Sequence, residues 1–201
     1  MKALTDDILQ WSVFNAEKGY DFNGLHLRLA DRCVLVDPVP MSADVVAEVE
    51  RRGRPALIIL TNKDHRRDAP EAARRFAAPV VIHHLDRPMI DVPVDDSFDD
   101  GDLLGGELEV VRVPDAKSPG ESALWWARRR VLIVGDAVIG KPPGQVSMLP
   151  DGKFRDPVAA RRGLVRLATY PAELLLVGDG ASITSGAGGV IERFLSGRNP
   201  S

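Results

Sequence analysis

Residues 57–68 read LIILTNKDHRRD, and this stretch decides how the rest of the chain is read. Leu57, Ile58, Ile59 and Leu60 form a short apolar run, the pattern of a strand buried on both faces. The run stops at Thr61, and the polar residues Asn62, Lys63, Asp64, His65, Arg66 and Arg67 follow. Asp68-Ala69-Pro70-Glu71 then carries the signals of a helix start: Asp68 as N-cap, a proline in the first turn and an acidic residue near the positive end of the helix dipole. A buried strand thus ends in a loop dense with functional groups, and the loop feeds a helix. In α/β folds such strand ends are where sites are built. Simple solvation would also account for a charged loop, so its weight depends on what other strands do.

Two further apolar strands end in the same way. Val131 to Val134 runs into Gly135-Asp136, and Glu173 to Val177 runs into Gly178-Asp179-Gly180. Earlier, 11–16 and 24–30 read as strands, and Val34-Leu35-Val36 is a strand closed by Asp37-Pro38. His26 alternates with Leu25 and Leu27 and is expected to face outward. Residues 42–52 form a helix with Ser42 as N-cap and Gly53 at its end. A helix over 70–76 and a strand over 79–83 follow. His83-His84 would form a metal pair only if both rings turned the same way, and neighbours on a strand point to opposite faces. The acidic stretch from Asp86 to Asp102 lacks the regular oxygen spacing and closing glutamate of a calcium loop, and reads as solvated. Strands over 107–113 and 122–126 flank the loop Pro114 to Glu121. Residues 137–156 are irregular and proline-rich, either a loop over a site or a long connection. Helices over 157–168 and 187–196 complete the chain.

The 201 residues are expected to form one domain, residues 1–201, with 44% hydrophobic and 27% charged residues. The net charge of −3 excludes the basic field that general nucleic-acid binding needs. No apolar run reaches membrane-span length, and MKALTDDILQW is not a secretory signal. A single cysteine, Cys33, excludes an internal disulfide and reads as a buried thiol of a cytoplasmic protein. Trp125-Trp126 sends one ring inward and one outward; a helix partly covering the outward ring is the commoner outcome, and left exposed it is a candidate anchor for a homodimer or partner interface. There is no Gly-x-Ser-x-Gly nucleophile elbow, and the Gly-rich Thr184 to Gly189 lacks the phosphate-loop lysine.

Taken in order, these landmarks resemble the metallo-β-lactamase superfamily. That family carries Thr-His-x-His-x-Asp-His at a strand end, then a Pro-Gly-His-x-x-Gly loop, a Gly-Asp strand end and a final Gly-His-Gly. Here the corresponding segments are Thr61 to Arg67, Pro114 to Gly120, Gly135-Asp136 and Gly178-Asp179-Gly180, with Val34 to Asp37 upstream. The resemblance spans residues 11–195 and implies an α/β fold, a four-layer αββα sandwich. It also implies a departure at the metal centre. The family's histidine ligands fall on Asn62, Asp64, Arg67, Ala116 and Asp179, its aspartate falls on Arg66, and only Asp136, the bridging carboxylate, is kept. His65 occupies a variable motif position.

Three functional expectations follow. The first is a metal-free cleft in which Arg66 and Arg67 stand in for the metal charge, with Arg66 touching Asp136, acting as a pseudoenzyme or a small-anion site lined by Asn62, His65, Arg66, Arg67 and Asp179. The second is an altered hydrolase of esters or phosphoesters with Asp64 and Asp136 as catalytic candidates, in which Asn62, Asp64, Asp136 and Asp179 hold Mn²⁺, Mg²⁺ or Ca²⁺. The third is a scaffold that dimerises or binds a partner.

Overall fold

The computed structural model describes residues 1–198. Seven strands are hydrogen-bonded in chain order in the first sheet: β1 (Lys2–Thr5), β2 (Ile8–Asn15), β3 (Tyr20–Arg28), β4 (Cys33–Val36), β5 (Pro55–Leu60), β6 (Val80–His83) and β7 (Asp96–Phe98). Pairing is antiparallel from β1 to β4 and parallel from β4 to β7. The second sheet holds β8 (Leu103–Leu104), β9 (Leu108–Arg112), β10 (Ser122–Trp126), β11 (Val131–Val134) and β12 (Leu174–Val177), in the order β12-β11-β10-β9-β8. Only β11 and β12 run parallel there. Helices α1 (Ala43–Arg52) and α2 (Ala69–Phe76) make the crossovers of the first sheet, and α3 (Pro157–Gly163) and α4 (Ala187–Leu195) flank β12 in sequence.

Strand alternation explains the layers. In β5, Ile59 faces the core between the sheets while Ile58 and Leu60 face α1 and α2. Both faces are therefore apolar, as a central parallel strand requires. β4 divides likewise, with Val34 and Val36 inward and Leu35 outward. In the second sheet Leu124, Trp126, Val131 and Ile133 meet the first sheet, while Ala123, Trp125, Leu132 and Val134 pack under Val190, Ile191 and Phe194 of α4. The result is the four-layer αββα sandwich. Each large side chain so buried contributes roughly 1.5–3 kcal/mol of transfer free energy.

Local signals place the helices. The Ser42 side chain accepts from the Val45 N–H at 3.4 Å, and Asp156 caps α3 through the N–H groups of Val158 and Ala159 at 2.9 and 3.0 Å. Asp68 makes no side-chain cap bond.

Three expectations need correction. His26 lies on the helix-facing side of β3 but is 1% exposed, because the end of α1 roofs it and the Gly53 carbonyl sits 2.8 Å from Nε2. Trp125 is covered by the second sheet's own helical layer and lies 5.4 Å from the Tyr170 ring, so neither tryptophan is an exposed anchor. The Asp86–Asp102 stretch is not uniformly solvated, since Asp86 is fully buried.

Candidate functional site

Parallel strands end together, and that is what assembles the site. β4 delivers Asp37, β5 delivers Thr61 to Arg67, β11 delivers Asp136 and β12 delivers Asp179. After Thr61 the chain tightens into one 3₁₀ turn, Lys63–Arg66, capped by the Asn62 side chain, which accepts from the Asp64 N–H at 2.9 Å. The turn throws His65 inward, where it is 2% exposed. Its Nδ1–H donates to Asp37 Oδ2 at 2.7 Å, and Nε2 lies 3.3 Å from Asp136 Oδ1. Thr61 fixes Asp37 through its N–H at 2.8 Å and its hydroxyl at 2.5 Å. Gly178 makes room for the ring: a Cβ there would lie 2.5 Å from His65 Cε1.

Two cations complete the cluster. Arg67, in a positive-φ conformation, crosses the cleft to pair with Asp179. Its Nη1 donates to the carbonyls of Asn23 and Gly178 at 3.1 Å each, and its guanidinium covers the Phe22 ring at 4.5 Å. Lys117 reaches Asp136 at 2.7 Å and Asp64 at 2.9 Å. Nη2 of Arg67 also lies 3.1 Å from His65 Nε2.

Protonation follows from this arrangement. Burial and the Arg67 charge oppose a charged His65, but Asp37 and Asp136 outweigh both and hold its pKa up at about 10. Asp37 and Asp136 thus favour the charged imidazole, while the Arg67 guanidinium 3.1 Å from Nε2 opposes it. Burial pushes Asp136 upward, yet His65 and Lys117 overcome it and keep the group well below the usual carboxylate range. Lys117 is half desolvated, and its two carboxylate partners still raise it. Burial raises Asp179, with the nearby Asp136 adding to it, although Arg67 and His65 pull the other way. Beneath the cluster lies fully buried Glu121, raised well above its ordinary value by burial and then by Asp136. One oxygen accepts from the Ala137 N–H at 3.1 Å, while Oε2 and the nearby Asn62 Nδ2 have no hydrogen-bond partner among the described residues. Both side chains close on Gly135, where an added Cβ would meet Asn62 Nδ2 at 2.6 Å and Glu121 Oε1 at 2.9 Å.

A cavity of about 640 Å³ opens over the cluster. Asp64, His65, Arg67, Asp136 and Asp179, all named from the sequence, line it. Asn62 lies behind them, fully buried. Arg66 contradicts its expectation: it turns outward and pairs with Asp91 at 2.8 Å, because successive side chains of a 3₁₀ turn diverge by about 120° and the turn that buries His65 carries the next one away from the cleft. The cation on Asp136 is instead Lys117, beside Ala116 in the loop 114–120. Sequence reasoning missed it, although a lysine next to an absent ligand position was the available signal. Asp86 was also missed. It accepts from the Lys63 N–H at 3.0 Å, the Ser118 hydroxyl at 2.5 Å and the Gly120 N–H at 2.8 Å, and so clasps the two loops that carry Asp64 and Lys117. The irregular stretch 137–156 forms one wall of the cavity through Ile139, Met148, Leu149 and Pro150.

Among the described residues, two clusters group metal-capable atoms within 4.8 Å of one another: His65, Asp136 and Asp179 in the cavity, and His83, His84 and Asp99 outside it. The second corrects the strand argument, since β6 ends at His83 and the two rings lie 4.7 Å apart.

Comparison with known proteins agrees with this architecture. No curated protein matches the chain. A structure titled TTHA1623 in a di-iron-bound form superposes with a TM-score of 0.72 at 23% identity, covering 91% of this chain and 97% of that one. The DIM-1 metallo-β-lactamase gives 0.76 at 12% identity, covering 98% and 96%. A metallo-β-lactamase from Pontibacter korlensis gives 0.75 at 15%, covering 97% and 96%. At these identities the structures speak for the fold. The family model described as metallo-beta-lactamase superfamily matches residues 1–193, and by it the chain belongs to the metallo-β-lactamase superfamily.

Proposed function

We propose that this protein has exchanged the family's metal centre for an internal network of charged side chains and uses the cleft to bind a small anionic molecule. The observation that carries the reading is the occupation of the would-be ligand positions by cations and saturated groups. A zinc pair wants several imidazole or thiolate ligands, and even a carboxylate-rich iron pair uses about one imidazole per ion. The cleft has one imidazole, and its two nitrogens face Asp37 and Asp136. Asp136 already carries Lys117, Asp179 carries Arg67, and Ala116 offers no donor. These residues do not fit a dinuclear transition-metal site. They fit a compensated one, in which imidazolium, guanidinium and ammonium sit among four carboxylates. Buried carboxylates without such partners would be unfavourable by several kcal/mol each.

The case for an anion rests on what remains over. Five basic and four acidic side chains line the cavity, and any charge on His65 is matched by Asp37 behind it, so the lining keeps a surplus of one cation. A cleft with that balance concentrates anions.

A second reading, a hydrolase with an oxygen-rich divalent site, draws on the spacing of His65, Asp136 and Asp179 and on the di-iron form of the relative TTHA1623. It requires a metal to displace Lys117 and Arg67. Melting curves separate the two. On the first reading Mn²⁺, Zn²⁺ and Mg²⁺ leave the melting temperature unchanged, and a panel of organic and inorganic anions contains at least one that raises it. A rise of several degrees with a divalent ion, reversed by chelator, would overturn the first reading in favour of the second.

A further inference from the structure

The buried cations of the cleft are already spent. Arg67 is shared among Asp179 and two backbone carbonyls, and Lys117 between Asp64 and Asp136. An incoming anion would have to break those pairs to use them. The mouth is different. Lys153 is exposed and its side chain makes no hydrogen bond or ion pair among the described residues. Lys141, also exposed, leans on the Tyr20 ring at 5.3 Å and reaches only the Lys18 carbonyl, at 3.4 Å. These ammonium groups therefore have free donors, and they stand where solvent-borne ligands enter.

Between mouth and floor the wall is apolar and aromatic, formed by Tyr20, Met148 and Leu149 among others. About 640 Å³ falls within the ~300–1,000 Å³ of sites for organic ligands. An inorganic ion would leave that wall in contact with water.

Resting on the anion-binding reading of the cleft, we propose that its ligand is an amphipathic organic anion. A flat or branched apolar body lies against Tyr20, Met148 and Leu149, and a terminal phosphate, sulfonate or carboxylate is held at the mouth by Lys141 and Lys153. Binding energy then comes from burying the apolar body and from exposed lysines, so affinity needs both halves of the ligand and falls as salt rises.

The test is titration calorimetry on the full chain with 1-naphthyl phosphate, 1-naphthol and inorganic phosphate at low and high salt. The expected result is binding of 1-naphthyl phosphate at least tenfold tighter than either fragment, weakening in salt. In Lys141→Gln/Lys153→Gln that affinity drops about tenfold while the unliganded melting temperature holds. If inorganic phosphate binds as tightly as the ester and the double variant is unchanged, the anion sits on the floor of the cleft; the inference is overturned and the anion-binding function survives. If none of the three binds, the inference and the anion-binding function fall together. Release of naphthol that depends on added Mn²⁺ would overturn both in favour of the hydrolase.

Discussion

His65 holds its proton between two carboxylates, and the consequence for stability has a definite sign. The folded imidazole titrates at about 10, against 6.5 for the free group. The native state thus binds more protons between those values. This contribution is fully present below 6.5 and is lost as pH rises through 10. The melting temperature of the wild type should fall across that interval, and His65→Gln should be less stable at pH 7 yet show a flatter profile; equal slopes would refute the imidazolium. Glu121 adds to the same trend from a lower starting point. A carboxyl held above its unfolded value of 4.5 removes stability as pH climbs past that value. Glu121→Gln should therefore raise the melting temperature at pH 8 and leave it near wild type at pH 4.5. Lys117 is best tested as a pair. Lys117→Ala leaves Asp136 with His65 but one cation fewer, which should destabilise by about 1–3 kcal/mol in urea unfolding. Adding Asp136→Asn should recover part of the loss, whereas additive effects would mean that the two side chains are not coupled.

At the scale of elements, the site depends on strand ends and on the loops tied across them. Asp86 holds the Lys63 turn and the Ser118–Gly120 segment at once through three hydrogen bonds. Asp86→Ala should lose about 2–4 kcal/mol of stability and speed hydrogen exchange in both loops together; exchange rising in only one would refute the clasp. These devices differ in how far the sequence announces them. The apolar runs at 57–60, 131–134 and 174–177 are short and each precedes a polar tip, so the strands follow from run length and bounding residues, and the site's position from the shared tips together with the family resemblance. Helix α1 follows from Ser42 and the spacing of Val45 and Val49. Side-chain direction within a 3₁₀ turn does not follow, and so Arg66 was expected on Asp136 while His65 is the residue that reaches it. Asp86 stood among other aspartates with no local mark. Its burial is a tertiary fact, created when the loop after β9 folds over it.

For the whole molecule, the fold was legible because five landmarks keep their order along a chain that the family matches over residues 1–193. The proposed loss of metal ligands rests on residue identities plain in the sequence: Asn62, Ala116 and Arg67 stand where the resemblance would place histidines. Which cations compensate was not legible. That depends on reach across the two sheets, as Arg67 meets Asp179 from the first sheet's side and Lys117 meets Asp136 from a loop of the second. The central claim is that these side chains stand where metal ions would. It is tested most directly by elemental mass spectrometry on protein purified without chelator or metal-affinity tag. The account predicts far less than one equivalent of any transition or alkaline-earth metal per chain, also after incubation with Zn²⁺, Mn²⁺ or Fe²⁺ and desalting. Near-stoichiometric metal in the purified protein, lost on Asp136→Ala, would contradict it.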